Sequence, residues 1–280
     1  MDLKSKIILI YGPTASGKSK FAIKLAKKIE GEIINADSMQ VYKELKVLSA
    51  RPFKKEHQKI QHHLYGFQSV KKNFSTGEWL NLVRQKISNL KRRKKVPIIV
   101  GGTGLYFKAL TDGFVPIPKI PVKFRERIRI LHKNIGSKKF FLKLIKLDPL
   151  VKNNLNYTDT QRCIRAYEVK LFTKSSIYDW FKENKSYYGK EDFYKIYIDY
   201  PRIELQGRIS SRVKQMIRKG AVLEVKRFIK TKVRKDRTAY KAIGISEITQ
   251  YLQKKIDINE VREKISIKTR QYAKRQSTWG

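Results

Sequence analysis

Ile7-Ile8-Leu9-Ile10-Tyr11-Gly12-Pro13-Thr14-Ala15-Ser16-Gly17-Lys18-Ser19 joins a short apolar run to the pattern G-x-x-x-x-G-K-[ST]. The run reads as a buried strand. Behind the pattern, Phe21, Ile23, Leu25, Ala26 and Ile29 recur at helical spacing as far as Gly31. Strand, glycine loop and helix in that order are the setting in which this pattern binds phosphate. The glycines let backbone N–H groups turn inward around phosphate oxygens. Lys18 adds a point charge, and the Ser19 hydroxyl can ligate Mg2+. Such a loop implies a di- or triphosphate ligand and leaves open whether that ligand is ATP.

Outward from the loop, residues 32–36 and 96–100 are strand-like. A helix is expected over Thr76–Arg92, with Trp79, Leu82, Val83, Ile87 and Leu90 on its apolar face. This alternation of strand and helix predicts an α/β fold, a parallel sheet with helices on both faces. The pattern changes after the loop 113–121, which holds Pro116, Pro118 and Pro121; residues 122–185 are helical in period and contain no strand. Strand character returns at 194–200, and long basic helices follow at 202–230 and 258–278. The expected organisation is a P-loop catalytic core of residues 1–119 and 191–280, interrupted by an all-helical insertion at 120–190. Charge runs at 91–95 and 230–237 read as loops or solvated helix ends.

Composition narrows the class of protein. In 280 residues, 64 Lys plus Arg face 24 Asp plus Glu, a formal net charge of +40. Such an excess points to a polyanionic partner, although codon bias toward Lys and Ile would raise it without one. With 41% hydrophobic and 11% aromatic residues there is too much buriable surface for a disordered basic tail. The single cysteine, Cys163, excludes a disulfide framework and a Cys-based zinc site, and fits a reducing, cytoplasmic setting. Met1 is followed by Asp2 and Lys4, and the run 7–11 is short, so neither a signal peptide nor a membrane span is expected.

Three further segments end at the sheet edge where ligands of open α/β sheets bind. The second strand runs into Asp37-Ser38-Met39-Gln40, the third into Gly101-Gly102-Thr103-Gly104, and the fourth ends at Asp199. A carboxylate facing a P-loop serves as an Mg2+ ligand or as a general base; Asp37 is also placed to cap the turn that follows it. Asp199, two residues before Pro201, reads as a cap or structural partner. His62 and His63 lack a third ligand at suitable spacing and read as structural. Cys163, inside a helix, reads as packing.

The loop 12–19, Asp-Ser-Met-Gln-Val-Tyr-Lys at 37–43, His62-His63-Leu64 and Gly-Gly-Thr-Gly-Leu-Tyr at 101–106 occur in an order that resembles the bacterial tRNA dimethylallyltransferases, also called tRNA isopentenyltransferases. The likeness continues through Asp159-Thr160-Gln161-Arg162-Cys163-Ile164-Arg165-Ala166-Tyr167-Glu168-Val169 and Arg208 to Arg212 with Met216 and Gly220. It ends with Ala242-Ile243-Gly244 and Arg270-Gln271-Tyr272-Ala273-Lys274-Arg275-Gln276 before Trp279. The resemblance implies transfer of a dimethylallyl group from dimethylallyl diphosphate to N6 of the adenosine on the 3′ side of the anticodon in tRNA. It implies Mg2+ as cofactor with Ser19 as its protein ligand, and the anticodon stem-loop as partner; a monomer is expected, since one tRNA must be embraced by core and insertion together. By the same resemblance, Gly12, Pro13, Thr14, Ala15, Ser16, Gly17, Lys18, Ser19 and Arg208 hold the diphosphate or a nucleotide, and Asp37 and Thr103 are catalytic. Contacts to tRNA fall to Asp37, Ser38, Met39, Gln40, Thr103, Arg125, Gln161, Arg162, Cys163, Ile164 and Arg165.

Asp37 would accept a proton from the poorly nucleophilic N6 amine, Ser38 and Gln40 suit an adenine edge, and the acceptor base must leave the loop stack to reach them. Two departures stand out. Ile245 follows Ala-Ile-Gly where the family more often has an aromatic, and Ser49-Ala50-Arg51-Pro52 replaces a more usual Thr-Ala-Lys-Pro. The residues alone leave two other readings, an NTP-dependent kinase or ATPase and a non-catalytic RNA-binding protein.

Overall fold

An unbroken aliphatic run such as 7–11 is stable as a strand only where both its faces are covered. The computed structural model, which describes residues 3–115 and 117–278, shows how they are covered. Met1, Asp2, Pro116 and Trp279, on which parts of the reading above fall, lie outside the described residues. Strands β1 (Ile7–Tyr11), β2 (Gly31–Ala36), β3 (His62–His63), β4 (Val96–Gly101) and β5 (Phe193–Tyr197) form one sheet in the order β3-β2-β4-β1-β5. Every pairing is parallel, with Ile8 beside Ile98 and Tyr194, and Ile34 beside Ile99.

Successive side chains of a strand alternate between faces, and both faces here are apolar. Ile7, Leu9, Ile34, Ala36 and Ile99 join the larger core. It is closed by α2 (Thr76–Arg92), α3 (Gly104–Thr111), α7 (Arg202–Arg218), α8 (Ala221–Lys230), α9 (Ile245–Leu252) and α10 (Ile258–Ser277). Ile8, Ile10, Ile33, Val96, Ile98 and Val100 face the other way, against Ala22, Ile23 and Ala26 of α1 (Lys18–Ile29). Burying each Ile or Leu contributes about 1.5–3 kcal/mol. The helix α2 is delimited as its sequence dictates: Ser75 and Glu78 form a reciprocal capping box, and Trp79, Leu80, Val83, Ile87 and Leu90 are buried.

Three details differ from the sequence expectation. The two-residue edge strand β3 is too short and polar to show a period, yet it pairs with Ile33 and Ile34. The strand expected at 194–200 ends at Tyr197. Ile198 still donates its N–H to Tyr11 O at 2.8 Å, but the chain then turns at Asp199 and Pro201 into α7. The single helix expected at 202–230 is two, because Gly220 adopts φ 94°, left-handed backbone that ends one helix and starts the next.

The chain divides into two compact units, one of Met1–Thr111 and Tyr188–Gly280, the other Asp112–Tyr187. Among its described residues the second unit contains no strand. It consists of α4 (Val122–Leu147, interrupted at Gly136, φ 75°), α5 (Thr160–Thr173) and α6 (Ile177–Lys182). Its own core is Ile128, Phe140, Leu144, Val151, Cys163, Ile164 and Ala166. No helix among the described residues is long and apolar enough to cross a membrane.

Candidate active site

Backbone conformation builds the phosphate loop. Gly12 has φ 136°, and a Cβ there would lie 2.5 Å from Ile198 O, so only glycine lets β1 pass so close to the end of β5. Ala15 and Gly17 are also left-handed, at φ 66° and 95°, and they turn the chain so that α1 begins at Lys18. The helix N-terminus therefore faces the loop's own concavity. Ser16 Oγ is buried with no partner among the described residues.

A cavity of ≈ 260 Å³ opens over this loop, lined among others by Thr14, Lys18, Ser19, Asp37, Arg208 and Arg212. Arg208 and Arg212 share one face of α7, four residues apart. The Arg208 guanidinium lies 4.4 Å from the Tyr200 ring centre and donates to Tyr200 Oη at 2.6 Å. Arg212 donates to Thr14 Oγ1 at 3.0 Å. Lys18 Nζ donates to Pro13 O at 2.5 Å. Burial and the neighbouring Arg212 push the Lys18 ammonium down to about 7, against the pull of Asp37. Burial also lowers the Arg212 pKa, opposed by Asp37. Four cationic residues, Lys18, Lys20, Arg208 and Arg212, thus line a cavity in which Asp37 is the one carboxylate among the described residues. That is a site suited to a highly charged anion, which would restore the lysine's full charge.

Asp37 stands just past β2. The buried Asn35 shapes its turn, accepting from the Asp37 N–H at 2.9 Å and donating to Asp37 O at 2.9 Å and Leu64 O at 3.1 Å. Trp79 Nε1 donates to Asn35 O at 2.8 Å and pins the strand end. Asp37 Oδ1 accepts from the N–H groups of Met39 at 2.8 Å and Gln40 at 3.3 Å, so the capping role and a chemical role coexist in one side chain. Burial raises the Asp37 pKa, and these two N–H donors, Lys18 and Arg212 oppose the rise. Across from it, Thr103 Oγ1 accepts from the Ser38 N–H at 3.0 Å.

A second cavity of ≈ 330 Å³ is lined by Ser38, Met39, Leu48, Met216, Ile243 and Tyr272 among others, and shares Thr14, Asp37 and Arg212 with the first. Asp37 therefore lies where an anion-binding cavity meets a more apolar one. Gln40 borders the first cavity, and its amide donates to Ser49 O at 3.1 Å.

The remaining candidates divide. In the helical unit, Arg125 donates to the buried Glu168 carboxylate at 3.0 Å, and Arg165 and Arg129 lie 3.6 and 4.0 Å from it. Gln161 and Arg162 are exposed, the latter with 72% of its side chain open to solvent. Cys163 and Ile164, expected to contact tRNA, are instead packed into that unit's core at 2% and 6% exposure, so their side chains are unavailable to a ligand. Asp199 is exposed and accepts from the Tyr200 N–H at 2.8 Å. His62 stacks on His57 at 3.9 Å, and burial pushes it down to about 4. His63 lies 2.6 Å from Glu32, which Arg93 also holds. Neither histidine approaches a third metal-ligating group, and no cluster of three such residues occurs among the described residues.

Three residues at the site are absent from the candidates read in the sequence. Arg212 is signalled by its four-residue spacing from Arg208. Tyr272 and Gln276 repeat that spacing on α10, inside a motif that the resemblance marks without assigning roles.

A family model described as IPP transferase matches residues 40–280. Over 279 residues the chain is 57% identical to a tRNA dimethylallyltransferase of Pelagibacter ubique (strain HTCC1062), covering 100% of this chain and 89% of that one. A tRNA dimethylallyltransferase of Rickettsia massiliae (strain Mtu5) is 42% identical over 277 residues, covering 99% and 76%. Among solved structures, a eukaryotic dimethylallyltransferase acting on tRNA matches with TM-score 0.84 at 28% identity, over 98% of this chain and 69% of that chain. The tRNA delta(2)-isopentenylpyrophosphate transferase of Staphylococcus epidermidis matches with TM-score 0.67 at 30% identity, over 98% and 89%.

Proposed function

The chain belongs to the IPP transferase family, and from that premise we propose that it moves a dimethylallyl group from dimethylallyl diphosphate to N6 of the adenosine 3′ to the anticodon of a tRNA. The observation that carries this reading is the position of Asp37, on the wall common to both cavities. The diphosphate lies in the first, against the N–H groups of the loop, Lys18, Arg208 and Arg212. The acceptor adenine reaches Asp37 from the second, beside Ser38, Met39 and Thr103.

In the transfer, the bond from C1 of the dimethylallyl group to the diphosphate oxygen breaks and a bond from C1 to N6 forms. Charge builds on the departing oxygen, where Lys18 and the arginines stabilise it more strongly than in the ground state. The N6 proton passes to Asp37, whose partly desolvated carboxylate is a stronger base than one in water. Thr103, held against the Ser38 N–H, limits the positions Asp37 and the base can take.

The donor set fits Mg2+. Ser19 lines the same cavity, and its hydroxyl, with diphosphate oxygens and water, would offer the oxygen ligands this ion prefers. When bound, the ion would neutralise part of the diphosphate charge. Gln161 and Arg162 of the helical unit, with Arg125 and Arg165 beside Glu168, are the groups we assign to the RNA backbone; phosphate contacts of this kind position without reading sequence.

The test is mass spectrometry of nucleosides from tRNA incubated with the protein, Mg2+ and dimethylallyl diphosphate. Adenosine carrying one dimethylallyl group is expected. Its absence, or turnover of ATP in its place, would overturn the reading.

A further inference from the structure

The cavity over the phosphate loop is closed on one side by the last turns of α10, and one buried side chain there touches two loops at once. Gln276 is 6% exposed. Its Oε1 accepts from the Thr14 N–H at 2.7 Å, and its Nε2 donates to Gly102 O at 2.9 Å. Both halves of the amide are thus engaged by backbone, one half by the phosphate loop and the other by the segment after β4. A Cβ on Gly102 would lie 1.8 Å from Gln276 Nε2, and the three nearest atoms to such a Cβ all belong to Gln276. The glycine and the glutamine are therefore shaped to each other. One turn earlier on the same face, Tyr272 lies beside Thr103 and Gln276. Thr103 in turn holds the Ser38 N–H at 3.0 Å, next to Asp37.

Because its amide hydrogen already goes to Gln276, Thr14 is not among the backbone donors that face a diphosphate. Its hydroxyl, held by Arg212 at 3.0 Å, completes its fixation. Residues 12–19 and 101–104 leave the ends of adjacent strands and share no bond of their own across this gap. Gln276 supplies one.

We infer that Gln276 is a positioning residue that sets the distance between the phosphate loop and the Thr103–Asp37 side of the site, so that donor carbon and acceptor nitrogen meet in line. The inference rests on the transfer reaction proposed above. A displacement of about 1 Å in reacting groups costs on the order of 100-fold in rate, and Gln276 spans the two loops whose separation decides it.

The test is a double-mutant cycle on Gln276→Ala and Gly102→Ala. For each variant kcat and KM are measured for tRNA prenylation, inorganic diphosphate affinity by calorimetry, and Tm. Gln276→Ala is expected to lower kcat by about 10- to 100-fold with the tRNA KM little changed. Gly102→Ala, which forces the glutamine out of place, is expected to lose at least as much. In the double variant the added methyl enters the space the glutamine leaves, so its kcat should be no worse than that of Gln276→Ala alone. Gln276→Glu, which keeps the acceptor for Thr14 but lacks the donor for Gly102, should fall between wild type and Gln276→Ala. A double variant whose loss equals the product of the single losses would overturn the inference. So would a Gln276→Ala enzyme within twofold of wild type, or one whose Tm falls while kcat and diphosphate affinity do not. If wild type fails to prenylate tRNA, the transfer reading fails instead. The cycle is then read from diphosphate affinity, which Gln276→Ala should weaken and the double variant should weaken no further; equal affinity in all four proteins would overturn the positioning role.

Discussion

The core and the helical unit carry their candidate groups in different ways. In the core, four stretches far apart in sequence (12–19, 37–40, 101–104 and 208–212) converge because parallel strands all end at one edge and α7 packs behind it. In the phosphate loop the left-handed residues Ala15 and Gly17 fold a short stretch so that Thr14, Ala15, Gly17, Lys18 and Ser19 line one cavity. In the helical unit one contiguous motif, 161–165, lies on α5, where each residue rotates about 100° from the last. Its members cannot share a face: Gln161 and Arg162 look out, Cys163 and Ile164 look in, and Arg165 turns toward Glu168. A five-residue string on this helix therefore mixes exposed side chains with core.

The largest effect expected from this contrast is at Asp37. Asp37→Ala should lower single-turnover prenyl transfer by about 10²–10⁴-fold while filter-binding affinity for tRNA stays within a few-fold; transfer at the wild-type rate would remove Asp37 from the chemistry. Next is Lys18. Lys18→Met should cut kcat/KM for dimethylallyl diphosphate by about 10²-fold, as loss of a transition-state charge contact does, and an unchanged donor kcat/KM would contradict the anion site.

Lys18 also sets a pH dependence. Its ammonium is pushed down to about 7 in the protein, from an ordinary value of 10.5. The folded protein therefore binds fewer protons than the unfolded chain between those values, and the penalty on stability from this group eases as pH rises through about 7. A bound diphosphate favours the charged lysine, so at pH 8 binding should take up as much as about one proton. Calorimetry in buffers of different protonation enthalpy measures this. Lys18→Met should abolish the lysine's share, and identical uptake in that variant would refute the assignment.

In the helical unit the expected changes are smaller and of another kind. Arg162→Glu should raise the tRNA KM several-fold and flatten its salt dependence by about one unit of slope, with kcat unaltered. Cys163→Ala should lower stability by about 1 kcal/mol through lost packing and leave tRNA affinity as it is. If Cys163→Ala instead weakens tRNA binding at unchanged Tm, the inward orientation of that residue is wrong.

Most of the core was legible in sequence for a physical reason. A P-loop needs glycine where φ is positive and an aliphatic strand before it, and both leave marks in one short stretch. The edge strand His62–His63 left none, since two polar residues carry no period. Gly220 was visible, but only its left-handed conformation shows that it splits α7 from α8. Asp37 was placed by its position after a strand, and its position at the junction of two cavities required the fold. The spacing of Arg212 from Arg208 is one of many such cation pairs in a chain with 64 Lys plus Arg, and Tyr272 and Gln276 carry no charge or motif role that marks them. Only packing distinguishes a half-buried arginine bonded to Thr14 from a solvated one.

Transfer to an anticodon stem-loop RNA, compared with the same RNA carrying guanosine in place of the adenosine 3′ to the anticodon, tests the placement of the acceptor at Asp37 most directly. With dimethylallyl diphosphate and Mg2+, the adenosine RNA should gain the mass of one dimethylallyl group at that nucleoside, and the guanosine RNA should gain nothing. An unmodified adenosine RNA, or equal modification of both, would contradict it.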